Sequence, residues 1–182
     1  DKFRRVTFRQ VGVLEDDALA ELLCAHEQVL CIINSRKAAQ SIFSKLPEEG
    51  SFHLSTLMVP AHRRTVLEQI RRRLNDGLPC RVVSTSLVEA GVDIDFPAVY
   101  RELAGLDSIL QAAGRCNREG KRAAEDSIVT IFRRTEKAPP LFGQAIGATN
   151  IALDNNADPA SPQTMENYFH ELRKLNGSAI DK

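Results

Sequence analysis

The sequence predicts an α/β domain in which a mostly parallel sheet is covered by helices on both faces. Two observations lead there. Short β-type runs alternate with runs of helical period along most of the chain, which is the pattern of strands joined by helical crossovers. The length of 182 residues, 43% hydrophobic and 26% charged, suits one ordinary domain able to bury a core without staples.

The elements follow in order. RRVTFRQVGV predicts a strand, DDALAELLCAHE a helix and VLCIIN a second, buried strand. SRKAAQSIFSKL predicts a helix opening at Arg36 with Ser35 as its cap, and FHLSTLM the next strand. AHRRTVLEQIRRRLNDG predicts a long helix closed by Asn75, Asp76 and Gly77. Val66, Leu67, Ile70 and Leu74 form its apolar stripe, while Arg63, Arg64, Arg71, Arg72 and Arg73 make a face that either meets water or meets nucleic acid. CRVVST and AVYREL predict strands, DSILQAAGRC a helix capped by Asp107, and DSIVTIF a last strand. Beyond Phe132 the texture changes. EKAPPLFGQAIGATNIALDNNADPASPQ is rich in Pro, Gly, Asn and Ala without sustained period and predicts a linker wrapping the domain. TMENYFHELRKLNG gathers Met165, Tyr168, Phe169 and Leu172 on a short helix. The expected division is therefore a main domain over 1–135, a linker over 136–162 and the start of a further helical segment over 163–182.

Charge narrows the function. Lys plus Arg and Asp plus Glu number 24 each, so any surface for a polyanion is local. Cys24, Cys31, Cys80 and Cys116 lack Cys-x-x-Cys spacing and fit free thiols in a reducing, cytoplasmic setting. No apolar run suits a membrane span, and DKFRRVTFRQ has no signal-peptide core; the chain starts at Asp1, as a cut fragment would. His26, His53, His62 and His170 are scattered and make no metal spacing.

Two stretches carry chemistry. In GLDSILQAAGRCNREGK, residues 105–121, a helical wheel puts Ile109, Ala112, Ala113 and Cys116 on one side and Gln111, Arg115 and Arg118 roughly opposite. Gly114 beside that row admits close approach. Guanidinium groups present paired planar donors and keep their protons, which suits phosphate oxygens; the alternative is an ordinary polar face. In RVVSTSLVEAGVDIDFP, residues 81–97, Ser84, Thr85 and Ser86 leave the carboxyl end of a parallel strand, where open α/β sheets hold ligands. Their hydroxyls and free N–H groups suit a phosphate backbone, Gly91 close backbone approach, and Asp93 a sugar hydroxyl; the alternative is a plain strand-to-helix turn. Glu89, Asp93 and Asp95 also raise a Mg²⁺ site, which no nearby His or further carboxylate supports, so no metal ligands are assigned.

Thr-x-x-x-Glu-x-Gly-Val-Asp from Thr85 to Asp93, followed by Gln-x-x-Gly-Arg-x-x-Arg from Gln111 to Arg118, resembles the last two signature motifs of superfamily 2 helicases. EAGVDIDFPAVYRELAGLDSILQAAGRCNREG is similar to the type I CRISPR-associated helicase–nuclease family, where Gly-Arg-Cys-Asn-Arg stands in place of the commoner Gly-Arg-x-Gly-Arg. VLCIINSRKAAQ and FHLSTLMVPAHRRTVLEQI look like earlier motifs of the same half, so the resemblance covers roughly residues 4–135.

The resemblance implies a RecA-like three-layer α/β/α domain, the second of two that clamp ATP and move along single-stranded DNA in CRISPR interference. It implies arginine fingers at Arg115 and Arg118, nucleotide contacts at Gln111, Gly91 and Asp93, and DNA contacts at Ser84, Thr85, Asn34, Ser35 and Arg36. Its implied partners are single-stranded DNA, the first RecA-like domain and nuclease domain of the same protein, and the RNA-guided surveillance complex, with no membrane and a monomeric state. No G-x-x-x-x-G-K-[ST] occurs, so the phosphate loop, and with it the Mg²⁺ of Mg-ATP, is expected on the first domain, and this chain alone is expected to be inactive. Two other readings compete: the same domain of another superfamily 2 DNA or RNA helicase, and a RecA-like interaction module without catalysis.

Overall fold

A computed structural model describes residues 4–88 and 92–180. Its chain runs β1 (Thr7–Val13), α1 (Asp16–Cys24), β2 (Gln28–Ile32), α2 (Arg36–Phe43), β3 (Ser51–Leu54), α3 (Pro60–Asn75), β4 (Cys80–Ser84), β5 (Ala98–Glu102), α4 (Leu106–Ala113), β6 (Ile128–Arg133), α5 (Gly143–Ala152) and α6 (Pro162–Ile180). The six strands form one sheet in the order β1-β6-β5-β2-β4-β3, and every neighbouring pair is parallel.

Two-residue alternation decides which helices cover which face. On β2, Leu30 and Ile32 join Val82, Val99 and Val129 beneath Leu67 and Ile70 of α3 and Ala112 of α4. The intervening Val29, Cys31 and Ile33 join Val83, Tyr100 and Phe132 beneath Leu19 and Leu23 of α1 and Ala39 and Ile42 of α2. Central strands buried on both faces explain the near-continuous apolar runs in the sequence. β1 is the exposed edge, and its register with β6 shifts between Gln10 and Val13, where Gly12 takes a left-handed φ of 73°.

The topology also sets the functional region. β4 and β5 lie on opposite sides of β2, so the chain between them must cross the sheet. That crossover, which carries 85–97, sits at the point where strand order reverses, the usual place for ligands in open α/β sheets. On either side of 89–91, Val88, Ile94 and Phe96 are buried in the core.

The stretch expected as a linker over 136–162 contains α5, and the short terminal helix begins at Pro162 and runs 19 residues. Both dock on the main body: Ala148, Ala152, Leu153 and Tyr168 form a third apolar cluster with Leu103, Leu106, Ile109 and Ile131. Small residues hide a helix from periodicity but let it pack closely, and packing outweighs the weak propensity of its Gly, Thr and Asn. Thr149 Oγ1 donates to Ala104 O at 2.7 Å, and Tyr168 Oη donates to Asp107 Oδ1 at 3.0 Å. Asp107 is thus not the cap: α4 begins one residue earlier, at Leu106, with Gly105 before it. Gly105 has no room for a side chain, because a Cβ there would stand 2.7 Å from the Tyr168 hydroxyl.

This docking makes a stability prediction. Tyr168→Ala removes a ring that is 2% exposed and should lower unfolding stability by about 3–5 kcal/mol. Tyr168→Phe keeps the ring, strands only the Asp107 contact and should lose about 1 kcal/mol. Denaturant unfolding of both variants checks this; equal stabilities would mean that α6 does not pack as part of the folded unit.

Candidate functional site

Two groups of predicted residues emerge at different places. The first lies at the carboxyl edge of the sheet, where β2 and β4 end side by side. Ser84 is fully buried; its Oγ donates to Thr85 O at 2.8 Å, and its carbonyl accepts from Ile33 N at 2.9 Å. Thr85 is 6% exposed, and its Oγ1 is buried with no hydrogen-bond partner among the described residues. A buried hydroxyl left unmet costs about 1–3 kcal/mol, so Thr85 is held by its surroundings and not by its own hydrogen bonding.

Asn34, by contrast, is committed within the chain. Its N–H donates to Glu102 Oε2 at 2.8 Å, its Nδ2 to Leu103 O at 2.9 Å, and its Oδ1 accepts from Arg101 Nη1 at 2.8 Å. It ties the exit of β2 to the exit of β5. The carboxyl of Glu102 is held above its ordinary pKa by burial, against the opposing pull of the Asn34 N–H, Arg134 and Arg101. Ser35 accepts from Ala38 N at 3.2 Å and is the predicted cap of α2. Arg36 is exposed. It flanks an open groove shared with Lys37, Gln40, His53 and Ser55. Reading the sequence missed those four, because only the pairing of β3 with β4 brings the end of β3 beside the start of α2. Leu57, 75% exposed, rims the same groove.

The second group lies on the flank formed by α3, α4 and the crossover. Here the predicted helical row is corrected: α4 stops at Ala113, and Gly114 begins the exit. Gln111 is exposed on the last turn of the helix. Cys116 leaves the helix altogether and bridges Phe96, whose N–H donates to Arg115 O at 2.8 Å while its carbonyl accepts from Asn117 N at 3.0 Å. Asn117 then takes a left-handed φ of 48°. Arg118 reaches the same flank as Arg115 through this turn and not through a helical period.

The two arginines converge on the crossover. Arg115 is half-buried and donates from Nε to Val88 O at 2.9 Å. Burial and the neighbouring positive charge of Arg118 pull its pKa down, with Asp93 opposing. Arg118 stands 3.3 Å from Asp93 Oδ1, with the two side chains 41% and 80% exposed. Asp93 is itself fixed through its carbonyl, which accepts from Arg71 Nε at 2.9 Å. Asp95 does different work, its Oδ1 accepting from Arg118 N at 2.9 Å and meeting Arg122 Nη1 at 3.4 Å. The carboxylates therefore diverge. Among the described residues no group of three or more His, Cys, Asp or Glu is placed to hold a metal ion. Gly91 and Glu89 lie outside the described residues. The face of α3 splits likewise, with Arg71 and Arg73 bonded to backbone carbonyls and Arg64 and Arg72 exposed.

Comparisons with known proteins identify the family and the fold. A family model described as CRISPR-associated nuclease/helicase Cas3, C-terminal, matches residues 25–121. The CRISPR-associated nuclease/helicase Cas3 of Haloferax volcanii is 37% identical over 83 residues, which are 44% of this chain and 9% of that protein. Its counterpart from Methanothermobacter thermautotrophicus is 27% identical over 166 residues, 88% of this chain and 19% of that protein. The chain thus spans at most about a fifth of the length of these curated relatives. A crystal structure of T. fusca Cas3-ADP superposes with a TM-score of 0.71 at 17% identity, covering 97% of this chain and 26% of that one. A chain of a CRISPR RNA-guided surveillance complex, pre-nicking, superposes with a TM-score of 0.67 at 18% identity, covering 93% and 25%. At these identities the likeness is one of fold, and the fold is RecA-like.

The Cys116 turn generates a chemical prediction. Burial, with Asp95 adding, pushes its thiol up to about 12; burial also raises Cys80 to about 12 and Cys31 further. All three are buried, and Cys24 is only partly so. A thiolate reagent at pH 8 should therefore modify Cys24 first and reach the other three only on unfolding. Rapid native-state labelling of Cys116, read by peptide mass, would show that the turn does not hold as described.

Proposed function

The chain belongs to the family of the C-terminal part of the CRISPR-associated nuclease/helicase Cas3, and from that premise we propose that it is the second RecA-like half of an ATP-dependent translocase on single-stranded DNA. In this reading residues 1–135 form the motor half, and the docked pair α5 and α6 lead onward. Its partners are the first RecA-like domain and nuclease domain of the same protein and the RNA-guided surveillance complex, in the cytoplasm and as a monomer. No helix among the described residues is long and apolar enough to cross a membrane.

The observation that carries the proposal is the meeting of Arg115, Arg118 and Asp93 on one open flank at the sheet's crossover. These residues fit one side of a nucleotide. Two guanidinium groups offer forked donors to phosphate oxygens, and Asp93 offers an acceptor to a ribose hydroxyl. The Arg118–Asp93 pair is solvent-exposed and worth about 0–1 kcal/mol, so both groups exchange partners readily when ligand arrives. Gln111, exposed on the last turn of α4, is read as a further nucleotide contact, and Gly91, outside the described residues, takes that role from the motif alone. In this reading the phosphate loop and Mg²⁺ are supplied by the first domain, as the resemblance implies; the chain has no G-x-x-x-x-G-K-[ST]. Bound ATP provides the cleavable phosphoanhydride; this chain's part is to orient the phosphates and neutralise developing charge.

At the carboxyl edge, Ser35 and Arg36 border the path of the DNA backbone, while Ser84, Thr85 and Asn34, buried or committed within the chain, set the ends of the loops that carry it. Asn34 and Ser35 act there by shaping the loop, and Arg36 by charge. The groove beyond Arg36 extends this path toward Lys37 and Ser55.

In the full-length protein, Arg118→Lys and Arg115→Lys keep charge and lose the fork. DNA-stimulated ATP hydrolysis should fall about 10³-fold, as for other removed arginine fingers, with the melting transition retained. Near-normal turnover in both variants overturns the finger assignment. The chain by itself should hydrolyse no ATP and bind single-stranded DNA weakly, with an affinity that falls steeply with salt. Site-specific ATPase activity of the isolated chain, or tight binding at physiological salt, contradicts the half-engine reading.

A further inference from the structure

We propose that Asn117 is a positioning residue for Arg118, setting where the guanidinium stands through a side-chain tie that a glycine at the same place lacks. The inference rests on the reading of Arg118 as an arginine finger. It is carried by a set of contacts that no helical pattern required.

Asn117 is 1% exposed and has a φ of 48°, in the left-handed region that glycine enters freely and asparagine more readily than other side chains. That backbone demand explains why glycine is the commoner residue at this place in superfamily 2 motifs. Asparagine meets the demand and adds three bonds. Its Nδ2 donates to Arg5 O at 2.8 Å and to Arg122 O at 2.7 Å, while its Oδ1 accepts from Arg122 N at 3.0 Å. Two donors facing two carbonyls and one acceptor facing an N–H match a carboxamide and nothing else of that length. Aspartate would set an oxygen against the Arg5 and Arg122 carbonyls, and serine would fall short.

The tie fixes the residue that follows. Arg118 N donates to Asp95 Oδ1 at 2.9 Å, and Arg118 O accepts from Arg5 Nη1 at 2.6 Å. Gly120 N closes the turn onto Asn117 O at 2.9 Å. The backbone of Arg118 is thus held on both sides, while its side chain stays 41% exposed and makes only long contacts, Nε to Asp93 Oδ1 at 3.3 Å and Nη1 to Val92 O at 3.4 Å, which an incoming phosphate can replace. A finger rooted in a loose turn would have to be ordered by the nucleotide at the moment of reaction, at the expense of turnover.

The test uses the full-length protein with DNA-stimulated ATP hydrolysis and thermal melting measured together. Asn117→Gly retains the turn and loses the tie; Asn117→Asp retains the shape and reverses two contacts. Both should melt cooperatively, and kcat should fall by about 10-fold for Asn117→Gly and about 10²-fold for Asn117→Asp, with KM for ATP changing far less. The double variant Asn117→Gly with Arg118→Lys should turn over no more slowly than Arg118→Lys alone, since a lost finger leaves nothing to position. If Arg118→Lys is harmless, the finger reading fails and this proposal falls with it. If Arg118→Lys is damaging but Asn117→Gly and Asn117→Asp turn over like the parent, the finger stands and the positioning role is wrong. Losses that multiply in the double variant, or a melting transition abolished by Asn117→Gly, also overturn it, because Asn117 would then act on the fold and not through Arg118.

Discussion

Two hydrogen bonds across the backbone of Phe96 hold the rest of the candidate cleft in register. One receives its proton from Phe96 and the other from Asn117, and together they join the lead into β5 to the exit from α4. The charged side chains of the flank lie on one or other side of that seam. Asp93 and Asp95 approach it from the crossover, Arg115 and Arg118 from the turn that follows α4. Phe96, fully buried, supplies the apolar weight that keeps the seam in place. A slip by one residue would turn Asp95 away from the Arg118 N–H and separate Asp93 from the guanidinium. The carboxylates and guanidiniums do not assemble the site, because exposed ion pairs are too weak for that. They are set in place by a backbone already fixed by burial.

The degree to which this was legible from the amino acids differs by region, and the reasons are physical. The alternation of strands and helices shows plainly because parallel strands buried on both faces must be apolar throughout, while α3 must keep a stripe. Ser35 shows because a cap needs its hydroxyl at one defined offset. Positions 111, 115 and 118 satisfy a helical wheel, yet the helix has ended by Gly114, and Arg118 comes to the flank of Arg115 through the turn. An asparagine that adopts a left-handed turn looks, in a string of letters, like any polar residue at the end of a helix. α5 was missed because Gly, Ala, Thr and Asn carry no clear amphipathic signal, and its close packing against α6 appears only in three dimensions. The groove past Arg36 needed the strand order, which no local pattern encodes.

The two functional regions use buried polarity in opposite ways. At the carboxyl edge, Arg101, Glu102 and Arg134 withdraw charge into the protein, with Arg134 Nη2 meeting Asp16 at 2.8 Å and Arg101 and Glu102 each holding Asn34. Such a network is worth little as net stability, but breaking one member leaves another charge buried alone, so it resists deformation. It stiffens the loops from which Ser35 and Arg36 project. On the flank, Arg118 and Asp93 remain largely in water, while Arg115 and Asp95 are partly buried against the crossover. A rigid platform therefore borders one candidate ligand, and exchangeable charges border the other.

The pairing of β1 with β6 has a consequence for how the molecule is made. Thr7 lies opposite Ile128, so the first strand has no partner until almost the whole domain has been synthesised. At about 5–20 residues per second the ribosome takes on the order of 10 s to deliver that partner. During this interval an edge-forming strand waits in the open. The same delay governs the Arg118 turn, since it is secured by Arg5 at one end and by residues up to Arg122 at the other. The central strands can collapse early, but the chain's start is recruited only at the end. A polypeptide that ends ahead of residue 128 lacks β6, so β1 has no neighbour to pair with and Arg5 has no fixed place from which to hold the Arg118 turn.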